Sequence, residues 1–241
     1  LYDFRNIKFT LVLDKFINLL KENTIIIAYD FGAIMANICI NSLTDINQKN
    51  KISKLLYICP TIGGIPMALR DYFNGNDMID SAIIKTFDST LLSIPYSEIY
   101  KKQPLIIYQG LSYSSESLST LISDSSFKNL RTKYEELSIK NPEIETIIIA
   151  GNNFSTPICY NFRNNLNQPP ERYYAKQNNV SAETGTHEGL QVIGDGLVPY
   201  TSIEKIKELW GKNCKVELIG DKDHFTILKS YELALIILAN L

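Results

Sequence analysis

The chain has 241 residues, 45% of them apolar and 21% charged, enough to bury one sizeable core and unlike a disordered or fibrous sequence. Its formal net charge of -2 excludes a globally basic surface, and with it a nucleic acid as an expected partner. No apolar run reaches the roughly 18 residues of a membrane-spanning helix; the best candidate, LALIILA at 233–239, is too short.

In chain order, IKFTLVLDKFINLLKEN places apolar residues at helical spacing and ends at Asn23. A strand, TIIIA, follows and runs into FGAIMANICINSL, a helix whose small first residues allow close approach to a sheet. The next strand, KLLYIC, stops at Pro60. This order of helix, strand, sharp turn, helix and strand predicts a parallel α/β sheet. Residues 61–140 change character and are too long for a bare loop, so helices forming a cap over the sheet are expected there. The pattern returns with ETIIIAG at 145–151 and gives way to a polar, Tyr-rich excursion to about Gln191. It closes with GDGLVP, the helix SIEKIKELWG, the strand KVELI, the turn GDKDH and a last helix through FTILKSYELALIILANL. One domain over 1–241, with 61–140 as a cap insertion, is the economical organisation.

Cys39, Cys59, Cys159 and Cys214 show no CxxC or metal spacing and lie among apolar neighbours, which reads as buried thiols, with one disulfide as the alternative. Only His187 and His224 are available as imidazoles, so no His-rich metal centre is expected, and no metal or cofactor is assigned. His187 reads as a polar loop residue, Ser202 as a helix N-cap and Trp210 as a packing anchor. Tyr72, Tyr96 and Tyr100 suit either core packing or an amphipathic groove. The sequons NFS at 153 and NVS at 179 matter only in a secreted chain, and the chain opens at Leu1 rather than Met, so localisation stays open.

The chemistry concentrates at three points. A strand ending in a small residue, then one residue, a nucleophile, another residue and Gly, makes the tight strand-to-helix elbow that thrusts the central side chain above a sheet. Ala28, Asp30 and Gly32 meet that steric pattern with a carboxylate at the centre. Asp195 lies between Gly194 and Gly196 after one late strand, and His224 follows the next. Asp30, Asp195 and His224 thus keep the nucleophile, acid, base order of an α/β-hydrolase, and parallel strands bring their ends to one sheet edge. Asp195 would fix the tautomer of His224, the base, and the backbone N–H of Phe31 would be an oxyanion donor.

These stretches resemble the lecithin:cholesterol acyltransferase family of lipid acyltransferases and phospholipases. The resemblance is carried by LYDFR at 1–5, IIIAYDFGAIMA around the elbow, ICPTIGGIPMAL at 58–69, TFDSTLLSIPYSEIY at 86–100, AGNNFSTPICY at 150–160, GDGLVPYTS and DHFTIL. It implies an α/β-hydrolase fold, a mostly parallel sheet flanked by helices with a helical cap. It also implies that this chain starts after the family's first strands, and that a phospholipid or other lipid ester is the ligand, with peripheral membrane contact. Asp195 would be the acid, His224 the base, and Asp30 would stand where the family has its serine. A lipid acyltransferase or phospholipase of doubtful competence is the leading expectation. A silent lipid- or protein-binding domain and an Asp-nucleophile hydrolase of alkyl halides or epoxides are the alternatives.

Overall fold

A computed structural model describes residues 3, 5–176, 179–184 and 194–241; the expectations for Leu1, Tyr2, Phe4 and His187 lie outside the described residues. Helix α1 (Phe9–Leu19) leads to β1 (Thr24–Tyr29), α2 (Phe31–Asn41), a short α3 (Ile46–Asn50) and β2 (Ile52–Ile58). Four helices follow, α4 (Pro66–Asn74), α5 (Ser81–Ile84), α6 (Asp88–Ser93) and α7 (Ser97–Tyr100). A hairpin of β3 (Pro104–Tyr108) and β4 (Leu111–Ser114), then α8 (Ser125–Ile139), precede β5 (Thr146–Gly151). The remaining elements are β6 (Pro157–Asn161), β7 (Glu171–Lys176), β8 (Asn179–Thr184), α9 (Tyr200–Trp210), β9 (Cys214–Ile219) and α10 (Tyr231–Leu238).

The expected parallel core is the four-stranded sheet β1-β2-β5-β9. Strand β5 at its centre is buried at all six positions, which is why it reads as a continuous apolar run rather than an alternation. A second sheet, β4-β3-β6-β7-β8, is mixed: β3 and β6 run parallel and the other pairs antiparallel. It corrects two expectations. Residues 61–140 contain a hairpin as well as helices, and the polar excursion after β5 supplies three strands. Their short lengths and flanking Gly and Pro residues hide the strand period within loop-like composition.

Two polar anchors tie the layers together. Asn37 of α2 is fully buried, and its amide donates to the carbonyls of Ser138 and Lys140 at 2.8 and 2.9 Å. This caps otherwise orphaned carbonyls at the end of α8 with the helix that carries the elbow. Arg131 on α8 donates to the carbonyls of Ile94 and Pro95, pairs with Glu135 at 2.8 Å and lies 4.1 Å over the buried Tyr96 ring. The turn between α6 and α7 is thereby held against α8. Tyr72, Tyr96 and Tyr100 are buried in the core, so packing decides those side chains.

Smaller corrections concern caps. Pro199 occupies the N-cap of α9, and Ser202 donates to its carbonyl at 2.7 Å from inside the helix. The expected single terminal helix is divided: a 3-10 turn at Thr226–Lys229 ends at Ser230, whose hydroxyl accepts from the N–H of Leu233 and starts α10. Trp210 is buried, its indole N–H donating to the Ile139 carbonyl at 2.7 Å. All four cysteines are buried and free, which removes the disulfide alternative. Among the described residues no helix is long and apolar enough to cross a membrane.

Replacing Asn37 by Leu keeps the branched side-chain shape but takes the donor from the Ser138 carbonyl, while the Lys140 carbonyl keeps only the Asn41 amide at 3.0 Å. Chemical denaturation should show a loss of about 1–3 kcal/mol, and an unchanged midpoint would remove this anchor from the account of the fold.

Candidate active site

The site is built at the carboxyl ends of the parallel strands. Tyr29, the last residue of β1, is in register with Ile58, the last of β2, so Asp30 and Cys59 are the next residues on neighbouring strands. Both leave the sheet with a positive φ, 52° at Asp30 and 44° at Cys59. Such backbone in non-glycine residues costs on the order of 1–3 kcal/mol each and concentrates at functional sites. The Asp30 N–H donates to the Ile58 carbonyl at 3.0 Å and the Cys59 N–H to the Ile149 carbonyl at 2.7 Å, so the ladder holds both residues in place. Asp30 is the N-cap residue of α2, but its carboxylate makes no capping hydrogen bond and is free to face the site.

Asp195 stands just before α9, in an isolated parallel bridge with Phe154. One of its oxygens accepts from the N–H groups of Leu197 at 2.9 Å and Val198 at 2.7 Å, and the other is 2.8 Å from Nδ1 of His224. The His224 N–H in turn donates to the Asp195 carbonyl at 2.8 Å, so the two loops are joined by backbone as well as side chain. Close approach is possible because Gly151 ends β5: a Cβ there would overlap the carbonyl of Lys222. The other imidazole nitrogen, Nε2, is buried without a hydrogen-bond partner and lies 3.6 Å from Oδ1 of Asp30. The Tyr29 hydroxyl donates to the His224 carbonyl at 3.0 Å, and the Phe225 ring stands 5.2 Å from the imidazole.

The structure therefore brings Asp30, Asp195 and His224 together, with Phe31 opening α2 beside them. It also adds a residue that the sequence suggests as a buried thiol or a disulfide partner. Cys59, His224 and Asp195, all buried, present ligand atoms that lie within 4.8 Å of one another. A signal for Cys59 was present: it is the residue immediately beyond an apolar parallel strand, where open sheets place their functional groups. Burial pushes the Cys59 thiol up, helped by the charge of Asp195, while His224 and the Gly151 backbone pull it down. At His224 burial opposes the charged ring, but the hydrogen bond and charge of Asp195, with Asp30 and Cys59 close to the ring, prevail, and its pKa is raised to about 11.

Exposure divides the cluster. The Asp30 side chain is 36% accessible and lines a cavity of about 500 Å³ with Phe31, Ile65, Met67, Asp71 and Phe225. Cys59 has no exposed surface, and His224 and Asp195 are each 1% exposed. A larger cavity, about 790 Å³ between α1, β1 and α2, is lined by none of Asp30, Cys59, Asp195 or His224.

No family model matches the chain. No curated protein sequence matches it either. Among solved structures, a chain of the Tle4–Tli4 complex superposes with a TM-score of 0.52 at 11% identity, covering 90% of this chain and 57% of that one. The chain thus spans little more than half the length of that protein. A variant of the meta-cleavage product hydrolase CumD gives 0.44 at 13% identity, covering 98% and 72%. The peroxisomal α/β-hydrolase Lpx1 from Saccharomyces cerevisiae gives 0.40 at 11%, covering 98% and 59%. The fold is that of an α/β-hydrolase with a helical cap, and the site is a candidate Cys-His-Asp catalytic triad, consistent in general with hydrolysis or acyl transfer.

This corrects the lecithin:cholesterol acyltransferase resemblance. That reading describes a serine site whose alcohol has become the Asp30 carboxylate, with no other nucleophile present. The thiol of Cys59 beside the His224–Asp195 pair overturns the description. The lipid acyltransferase or phospholipase assignment falls with it. So do the silent lipid- or protein-binding domain and the carboxylate-nucleophile hydrolase, since each depends on Asp30 being the only candidate.

The His224 shift has a consequence for stability. Its folded pKa of about 11 lies above the free value near 6.5, so the folded chain retains a proton that the unfolded chain releases. The stabilisation is complete below about pH 6.5 and is lost as pH rises toward 11. Raised thiols such as Cys39 and Cys214 add the same sign only above their free value near 8.5. Thermal midpoints should accordingly fall between about pH 7 and 8.5. His224→Gln should flatten that slope, and a slope that survives the substitution would assign the proton to another group.

Proposed function

We propose that the chain is a thiol-dependent hydrolase or O-acyltransferase acting on a carboxylic ester or thioester, with Cys59 as nucleophile, His224 as base and Asp195 as the acid that orients it. The observation that carries this reading is the convergence of the three side chains within 4.8 Å, with Asp195 2.8 Å from Nδ1. That hydrogen bond fixes the ring and leaves Nε2, which has no hydrogen-bond partner, for proton transfer.

In the first half-reaction Cys59 reacts as a thiolate beside the protonated His224 ring, and the thiolate adds to the substrate carbonyl carbon. The Phe31 N–H at the start of α2 would receive the developing oxyanion, with the helix N-terminus behind it. Collapse breaks the bond to the leaving alcohol or thiol, which takes the proton from the imidazolium, and leaves an acyl thioester on Cys59. Water or an acceptor hydroxyl then loses its proton to the now neutral His224 and attacks the thioester, releasing acid or a new ester and restoring the thiolate beside the protonated ring. Asp30 has a separate role. Its carboxylate, 3.6 Å from Nε2, stabilises the imidazolium that each half-reaction creates. The cavity of about 500 Å³ beside it admits the acyl group.

The sealed thiol makes a further demand. An acyl group reaching Cys59 must displace the side chains between the cavity and the sulfur, so turnover is slow and favours small, activated acyl groups.

A short-chain activated ester or thioester should be hydrolysed by the unmodified protein, and mass spectrometry of rapidly quenched samples should find the acyl group on the Cys59 peptide. Cys59→Ala should lower turnover by about 10³-fold or more. Equal rates in Cys59→Ala and the parent, or no turnover in the folded parent, would refute the assignment.

A further inference from the structure

The first strand of the central sheet is open on one side. It stands at the end of the order β1-β2-β5-β9, and among the described residues no strand pairs with its outer edge. In a parallel ladder the N–H and C=O groups of alternate residues point to opposite neighbours. The Asp30 N–H donates to the Ile58 carbonyl on the β2 side, so the main-chain groups of Ile25, Ile27 and Tyr29 turn to the open edge. The cavity of about 790 Å³ lies along that edge, because Ile26, Ile27, Ala28 and Tyr29 all line it. Ile26 and Ala28 pack in the cluster that holds α2, and Tyr29 in the one that holds α10. Successive strand side chains alternate between faces, so only a space at the edge meets four in a row. The facing wall is α1, none of whose residues is buried; Leu11 and Leu19, both lining the cavity, are 54% and 75% exposed. The strand itself, TIIIAY, carries neither the charge nor the proline that guard an open edge.

We propose that the β1 edge and the α1 wall bind an extended apolar segment bearing acidic residues, supplied by a different protein, which joins the central sheet as a further strand. A strand meets the outward N–H and C=O groups with groups of its own. A lipid acyl chain would cover them without a partner, which polar main chain does not tolerate. The rim decides between a foreign strand and a second copy. Lys8 and Lys15, two helical turns apart, line the cavity and form no ion pair among the described residues, whereas Asp3 beside them is held by Arg5 at 2.8 Å. Two copies joined edge to edge across a two-fold axis would turn this lysine-bearing wall toward itself. Acidic residues on a foreign strand complement it. Neither Cys59 nor His224 takes part, so the inference stands apart from the proposed function.

The full chain would be panned against a displayed library of random peptides of about ten residues. Enriched sequences should alternate β-branched or aromatic residues with polar ones and carry Asp or Glu. The leading peptide, synthesised with a fluorophore, then serves as the probe in anisotropy titrations. On binding it, the amides of Ile25, Ile27 and Tyr29 should exchange more slowly with solvent, a protection that side-chain docking alone does not give. Ile27→Pro removes the central outward N–H at an edge where a strand admits proline, and should weaken binding by about tenfold or more. Lys8→Glu with Lys15→Glu, both exposed, should weaken it by about fivefold or more. Should Ile27→Pro fail to fold, the exchange protection and the lysine reversal decide. Enrichment of no peptide or of peptides without acidic residues, undiminished binding to folded Ile27→Pro, unprotected amides or indifference to the lysine reversal would each overturn the proposal. So would a dimer of the free chain that Ile27→Pro dissociates, which gives the edge to a second copy, or oleate binding in place of any peptide, which gives the groove to an acyl chain.

Discussion

A buried carboxylate is tolerable only when its lone pairs are filled, and Asp195 is where this molecule meets that requirement. Two backbone N–H groups fill one oxygen, and the imidazole of His224 meets the other at 2.8 Å. The bond does more than satisfy Asp195. It brings the turn after β9 onto the loop before α9, fixes which face of the imidazole points to the strand ends, and leaves Nε2 aimed away from the carboxylate that holds it. Remove either partner and the other becomes an uncompensated polar group with almost no solvent access. The glycine that ends β5 serves the same bond, because any side chain there would push the His224 turn outward.

The second constraint is the parallel register. Because β1 and β2 finish on the same rung, the first residues beyond them are neighbours, and both have left-handed backbone. Strain at two adjacent strand ends is held by ladder hydrogen bonds reaching Ile58 and Ile149, so the central sheet supports the unusual conformations. A carboxylate and a thiol are thereby carried on neighbouring strand ends, one 3.6 Å and the other within 4.8 Å of a ring nitrogen of His224. Neither position alone would define a chemistry, and together with His224 they do.

How much of this could be read from the residues follows from what each signal depends on. The central strands, the elbow at Asp30 and the late Asp195 and His224 were legible because small residues, an apolar run and glycine-flanked loops are local features with steric causes. The second sheet was not. Its strands are short, β6 begins at a proline, and β7 and β8 lie in a polar stretch whose pairing depends on neighbours distant in sequence. Cys59 was missed for a related reason. A thiol among apolar residues has the composition of a core position, and it is indeed fully buried; only the rung it shares with Asp30 reveals its partners. The family resemblance failed at the same residue, since motif order along a chain does not report which side chains end up beside the histidine.

What remains is an asymmetry between the two candidate groups on the strand ends. Asp30 is reached from the cavity but is a poor nucleophile toward an ester, because attack would produce a strained mixed anhydride next to a second negative charge. Cys59 is a good nucleophile in its ionised form but is sealed, and burial disfavours that ionisation. His224 is the group common to both, and its proton is stabilised by a carboxylate on either side. An imidazolium held this firmly can offset the charge of a thiolate formed beside it, which is the condition under which a buried thiol becomes reactive. The acid at the elbow thus need not substitute for a missing alcohol: by favouring the charged ring from the solvent side, it shifts the balance of the buried pair that the solvent cannot reach.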